Sequence, residues 1–139
     1  IVRGHRDTMI SAIQCVKEID AGPVYLKKPL SLEGCAEEIF IRANQVVERM
    51  IIKILKTNPR PAPQTGEVTR FKRRKPEDGN LSGAESMDEI YNYIRMLDAK
   101  GYPPAFVRIG DSKLEFSRAS RKFDSVLANV KIIREKKNE

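Results

Sequence analysis

The sequence predicts an α/β chain in two parts: a few strands with one long helix, then a smaller β-rich module carrying a single helix. Apolar residues recur at i, i+3, i+4 and i+7 from Ala36 to Leu55 with hardly a break, the period of an amphipathic helix. A proline-rich stretch at residues 59–66, PRPAPQTG, can continue neither a helix nor a central strand. Beyond residue 104 come short strand-like runs with Gly110-Asp111 as a hairpin turn.

Taken in order, residues 9–16 (MISAIQCV) are apolar enough for a short strand. Residues 18–23 (EIDAGP) then read as a loop, since Gly-Pro punctuates it and Asp is at home in turns. Val24-Tyr25-Leu26 is the second strand, bounded by Lys27, Lys28 and Pro29. The long helix shows Ala36, Ile39, Phe40, Ala43, Val46, Val47, Met50, Ile51, Ile54 and Leu55 on its apolar stripe, about six turns in all. Glu37 and Glu38 in its first turn and Lys56 in its last suit the helix dipole, and Asn58-Pro59 stops it. So broad a stripe asks for a sheet to cover it, and the preceding strands supply little. The chain reads as incomplete on its N-terminal side, with Ile1 an internal start.

The expected organisation is residues 1–58, a linker at 59–66, and a β-rich domain at 67–139. A short strand is expected at 67–71, followed by a charged turn at 72–79. Ser86-Met87-Asp88-Glu89 reads as a capping box opening a second helix, whose apolar face is Met87, Ile90, Tyr91, Ile94 and Leu97 and whose end is Gly101. Strands are expected at 105–109, 113–117 and 126–133, with a frayed tail at 134–139. Tyr91, Tyr93, Tyr102 and Phe106 fit the core of this module better than a base-stacking platform.

Composition narrows the function classes. No apolar run approaches the roughly 18–20 residues of a membrane span. Two cysteines, Cys15 and Cys35, and one histidine, His5, cannot furnish a zinc site, which needs about four ligands in close pairs. Buried free thiols in a reducing compartment, and hence the cytoplasm, are the expectation. The net charge of +7 suits a polyanionic partner such as nucleic acid, a nucleotide-linked sugar or a polyglutamylated folate, without choosing among them.

Four segments occur in an order that resembles the methionyl-tRNA formyltransferase family, which also includes sugar N-formyltransferases. They are Ile19-Asp20-Ala21-Gly22-Pro23-Val24; the helix start Cys35-Ala36-Glu37-Glu38-Ile39-Phe40; the turn Arg73-Arg74-x-Pro76-Glu77-Asp78-Gly79; and Ile94-Arg95-Met96-Leu97 through Gly101-Tyr102-Pro103-Pro104-Ala105-Phe106. The resemblance covers nearly the whole chain. It implies the C-terminal piece of a Rossmann-like formyltransferase domain, followed by a small OB-like domain. It also implies a reaction: transfer of a formyl group from 10-formyltetrahydrofolate to a primary amine, with no metal.

Family enzymes use an Asn, a His and an Asp. The Asp stands in a D-x-G loop that corresponds to Asp20 with Gly22; the Asn and His lie on an earlier strand outside this sequence, so this stretch alone is expected to be inactive. His5 is not that His; the resemblance puts it on a helix before the first strand, as an ordinary surface residue. A carboxylate near an imidazole can orient it, or a water, for the two proton transfers the reaction needs. Read without the resemblance, Asp20 is simply a turn residue. Family members bind the pterin largely through backbone groups of this loop, by position Glu18, Ile19, Asp20 and Gly22, with Ile13 and Gln14 lining the approach; Ile13 and Ile19 also suit plain core packing. Where relatives cap the long helix with Thr, this chain has Cys35, a poorer cap that leaves Glu38 to complete the box.

Arg70, Lys72, Arg73, Arg74 and Lys75 put five cations in six positions. They could neutralise phosphates of a tRNA acceptor stem, or form a solvated basic turn with Glu77 and Asp78 as local partners. The acceptor expected from the resemblance is methionyl-tRNA. A nucleotide-linked amino sugar is the alternative within the same chemistry, and a non-catalytic RNA-binding module the alternative outside it.

Overall fold

The computed structural model describes residues 1–135. Its elements are β1 (Asp7–Ile13), β2 (Val24–Ser31), α1 (Ala36–Thr57), two short 3-10 turns (Pro76–Gly79 and Leu81–Gly83), α2 (Met87–Leu97), β3 (Ala105–Ile109), β4 (Ser112–Arg121) and β5 (Val126–Arg134). The chain divides into two compact units. One comprises Arg6–Glu33 and Ile39–Lys72; the other comprises Ile1–His5, Gly34–Glu38 and the described part of Arg73–Glu139.

In the first unit, β1 and β2 form an antiparallel pair in register from Asp7↔Ser31 to Ala12↔Leu26, where a shift brings Ile13 opposite Val24. β1 stops at Ile13, three residues short of the expected 9–16, because Gln14 to Val16 turn away into the loop. β2 runs on through Lys27, Lys28 and Pro29, which were expected to end it. Proline is admitted on edge strands, and both strands of a two-stranded sheet are edges.

Helix α1 takes up the predicted span and ends at Thr57, after which Asn58 turns left-handed at φ 40°. Ala36, Ile39 and Met50 are buried along one line of it and Leu30 on β2 is buried too, while Leu55 is 78% exposed. Arg42 anchors the end of β2, its guanidinium donating to the carbonyls of Ser31 and Glu33.

The connector is more than a spacer. Val24 and Ala62 exchange backbone hydrogen bonds at 2.7 and 2.9 Å, which ties the chain after α1 to the start of β2. Past Gly66, residues 67–71 form no strand. Val68 and Phe71 are three apart, out of step with a pleat, and they are 85% and 71% exposed.

The second unit builds its core from Leu81, Ile94 and Ala105, surrounded by side chains from α2 and all three strands. β3, β4 and β5 lie in that order as an antiparallel sheet. Gly110 adopts φ 59° at the first position of the two-residue turn between Ile109 and Ser112, where the hairpin was expected. β4 and β5 run longer than expected, each closed by polar partners. A bulge between Ser117 and Ser120 is fixed by Arg118, at φ 51°, whose N–H donates to the Asp98 carboxylate at 2.7 Å. The predicted frayed tail is ordered at its beginning: Arg134 closes β5 and pairs with Asp111, and Glu135 takes two hydrogen bonds from Arg108. Residues 136–139 lie outside the described residues.

The start of α2 departs a little from expectation, whereas Glu38 completes the box at α1 as expected. Ser86 caps α2 by accepting from the Glu89 N–H, but the Glu89 carboxylate accepts from Glu85, one residue before the cap. α2 ends at Leu97 and not at Gly101, and Met87 at its start is exposed. At α1 the Glu38 carboxylate accepts from the Cys35 N–H at 2.8 Å, and the Glu37 N–H finds the Asp98 carbonyl at 3.2 Å. Two of the orphan N–H groups of the first turn are thereby satisfied without a capping hydroxyl. Cys35 is half-buried and Cys15 is exposed, so the expectation of two buried thiols fails: Cys15 follows β1 into the loop, beyond any apolar cover. His5 is exposed as expected, yet residues 1–6 form no helix. Tyr102 is 49% exposed and lies outside the core, in contrast to Tyr93 and Phe106.

Two stability effects follow. Cys35→Thr restores a hydroxyl cap and should raise stability by about 1 kcal/mol, a shift of roughly 4 °C in Tm. Gly22→Ala should cost about 1–3 kcal/mol in chemical denaturation, because a Cβ built there falls 1.8 Å from the Gln14 carbonyl oxygen and the backbone must move.

Candidate functional site

The loop that joins β1 to β2 is closed at its base. Gln14 donates its N–H to the Pro23 carbonyl at 2.8 Å, and buried Gly22 packs directly against the Gln14 carbonyl. Glycine is required here by close approach and not by a positive φ. Within that closure Asp20 takes the left-handed conformation, φ 58°, which Asp tolerates better than most residues.

All six residues expected at the donor site therefore sit together on this loop and its base. Ile13 is half-buried at the end of β1, and Gln14, Glu18, Ile19 and Asp20 are exposed. Ile19 is 91% exposed, so it is not core packing. Among the described residues none of the N–H groups of Glu18, Ile19 and Asp20 donates a hydrogen bond. Unpaired backbone donors beside an exposed apolar side chain suit a flat, polar-edged heterocycle such as a pterin, bound through main chain.

One residue of the site escaped the sequence reading. The Gln64 side-chain amide, from the connector, donates to the carbonyls of Asp20 and Gly22 at 2.8 and 2.7 Å. A glutamine amid prolines carries no motif, and its partners lie 44 and 42 positions away. Only the fold brings them together.

The basic run is spread along irregular chain. Arg70 and Lys72 belong to the loop-bearing unit, and Arg73, Arg74 and Lys75 to the other; all five are exposed. Their environments differ. Arg74 donates to the Asp78 carbonyl at 2.8 Å and lies over the Tyr93 ring, 5.2 Å from its centroid. The Lys75 N–H is capped by the Asp78 carboxylate at 2.8 Å. The R-R-x-P-E-D-G turn thus has a structural duty: Asp78 ties it down, and Gly79 packs against Leu97 and Pro104, its Cβ position 3.1 Å from the Leu97 side chain. A buried polar group was also missed. Arg95, 7% exposed, donates to the Gly34 carbonyl and to Asn92. Among the described residues no three His, Cys, Asp or Glu side chains lie close enough to hold a metal ion. No described helix is long and apolar enough to cross a membrane.

A family profile described as the C-terminal domain of methionyl-tRNA formyltransferase matches residues 76–133. The methionyl-tRNA formyltransferase of Gluconobacter oxydans is 28% identical over 123 residues, which is 86% of this chain and 40% of that protein. The one from Thermodesulfovibrio yellowstonii is 27% identical over 101 residues, 68% of this chain and 33% of that protein. The chain therefore spans less than half the length of these curated relatives. The structure of the Clostridium thermocellum methionyl-tRNA formyltransferase superposes with a TM-score of 0.91 at 47% identity, covering 95% of this chain and 59% of that one. HypX from Aquifex aeolicus, solved with tetrahydrofolic acid, shares the fold at 14% identity and a TM-score of 0.63, over 85% of this chain and 22% of its own. With two helices and two small antiparallel sheets laid out as in those enzymes, the chain belongs to the methionyl-tRNA formyltransferase family, as its C-terminal domain region.

Proposed function

We propose that this chain serves a formyltransferase that moves a formyl group from 10-formyltetrahydrofolate to the amine of methionyl-tRNA. In this reading β1, β2 and α1 are the edge of a Rossmann-like catalytic domain, residues 1–58. Residues 59–66 link it to an OB-like domain at 67–139, and the protein works in the cytoplasm. The observation that carries the reading is the Asp20 loop: closed at its base, with free backbone donors and the Asp20 carboxylate exposed beside them.

The folate donor supplies the formyl carbon to which the amine adds. Glu18, Ile19 and Asp20 would hold the pterin by main-chain groups, with Ile13 and Gln14 beneath and Gly22 letting the loop close. As the new C–N bond forms, the amine nitrogen becomes an ammonium and must lose a proton. As the old C–N bond breaks, the leaving nitrogen must gain one. The Asp20 carboxylate orients the group that carries these protons, an imidazole or a water, as general acid–base catalysis requires.

Methionyl-tRNA is favoured over an amino-sugar nucleotide because the 47%-identical structure and both curated relatives carry that name. Arg70, Lys72 and Arg73 are proposed as the phosphate contacts, whereas the Arg74 guanidinium is already engaged by the Asp78 carbonyl and the Tyr93 ring.

The test is a graft. This chain replaces the matching segment of the Clostridium thermocellum enzyme, and formylation of methionyl-tRNA is assayed beside that of an amino-sugar nucleotide. Formylated methionyl-tRNA is expected, with Asp20→Asn lowering kcat by about 100-fold or more. Formylation of the sugar alone, or of neither acceptor, rejects the proposal. In filter binding of tRNA, Arg70→Ala, Lys72→Ala and Arg73→Ala should each weaken affinity and flatten the slope of log K against log salt by about one. An unchanged slope would leave the run as a solvated basic turn.

A further inference from the structure

The function just proposed gives Gln64 no part, yet its amide is the one side chain from outside the loop that the loop's backbone engages on both sides of Ala21. One nitrogen with two N–H groups spans the carbonyls of Asp20 and Gly22 at 2.8 and 2.7 Å. Carbonyl oxygens brought this near to a common point repel one another unless a donor lies between them. The amide supplies two donors and no charge.

The placement of Gln64 is itself built. Ala62 exchanges both backbone hydrogen bonds with Val24 two residues earlier, and Pro61 and Pro63 flank it with fixed φ. The amide therefore arrives at the loop from a stiff, anchored support.

What the contact fixes is the direction of the Asp20 side chain. The Cα–Cβ bond of a residue is oriented by the two peptide planes that flank it. Holding the Asp20 carbonyl fixes the plane on the C-terminal side of Asp20, and holding the Gly22 carbonyl fixes the plane two peptides on, so the stretch through Ala21 is pinned at both ends. Asp20 also sits in a sparsely populated conformation, φ 58°, which persists only where its surroundings over-determine it. We propose that Gln64 is a positioning residue of the formyl-transfer site: its amide clamps the Asp20 and Gly22 carbonyls and so aims the Asp20 carboxylate at the reacting groups. This rests on the reading of Asp20 given above.

Two measurements test it, on Gln64→Ala and on Gln64→Glu, which keeps the shape but sets carboxylate oxygens against the two carbonyls. On the chain itself, 15N relaxation should give order parameters near 0.85 for residues 19–22 with Gln64 and below about 0.6 in both variants. The β3–β5 sheet should be unchanged. In the graft with the Clostridium thermocellum enzyme, both variants should lower kcat at least 10-fold while KM for methionyl-tRNA stays within twofold. A folding defect would instead lower the active fraction and disturb the sheet signals as well.

A loop that stays ordered without the amide overturns the clamp. A loop that loosens while kcat holds overturns the positioning role. A graft that is inactive even with Gln64 in place counts against the formyl-transfer reading, and the clamp is then judged by relaxation alone.

Discussion

The close approach of Gly22 to the Gln14 carbonyl is the constraint from which the loop-bearing unit follows. With no side chain at residue 22, the loop folds back until Gln14 can donate to Pro23. That bond sets where β2 begins, and the shift between Ala12 and Ile13 absorbs the mismatch in register. Val24, thus fixed, presents its edge to Ala62 and draws the connector alongside. The connector then delivers Gln64 to the loop it came back to meet. Each step is backbone geometry, and only the last depends on a polar side chain.

The other unit relies on a different device. Its apolar core is small, so polar groups do much of the ordering around it. Asp78 fastens the turn after the basic run through its carboxylate and its carbonyl at once. Asp98 serves three ways: it caps α2, its carbonyl accepts from Glu37, and its carboxylate fixes the bulge at Arg118. Arg95 is buried with its guanidinium spent on Gly34 and Asn92 and lying 5.4 Å from the centre of the Tyr91 ring. A buried charge left unpaired would be strongly destabilising, so these partners are a condition of its burial. The motifs that resemble the family at residues 73–79 and 94–97 therefore owe their residues at least in part to packing and hydrogen bonding.

Periodicity made the long helix and the face of α2 legible, because one residue type repeated on one face says what that face meets, and Gly110-Asp111 made the β3–β4 turn legible. The ends of strands were less legible: Lys27, Lys28 and Pro29 look like a stop, and on an edge they are not one. Cys15 looked buried because its neighbours are apolar, but the chain had already left the sheet. The expected strand at 67–71 had strand-like residues but joins no sheet among the described residues, and a strand is defined by its ladder. At the proposed site, Asp20 was put forward through its motif, and its companions through their nearness in sequence. Gln64 could not be found either way, since a glutamine in a connector signals nothing until the fold shows what it reaches. The helix also carried information beyond its stripe. Ile41 and Ile52 lie two positions beyond Ile39 and Met50, about 200° around the axis; they are exposed, and so are the apolar Phe40, Val47 and Ile51 on the arc between the two lines.

The choice of an amide at residue 64 is physically consequential. A lysine or arginine could also donate to two carbonyls. Either would bring a full positive charge to a contact that needs only two donors. A hydroxyl has one donor and cannot bridge two carbonyls. The glutamine amide offers two donors at the right reach, without a charge, and so holds both carbonyls from one nitrogen.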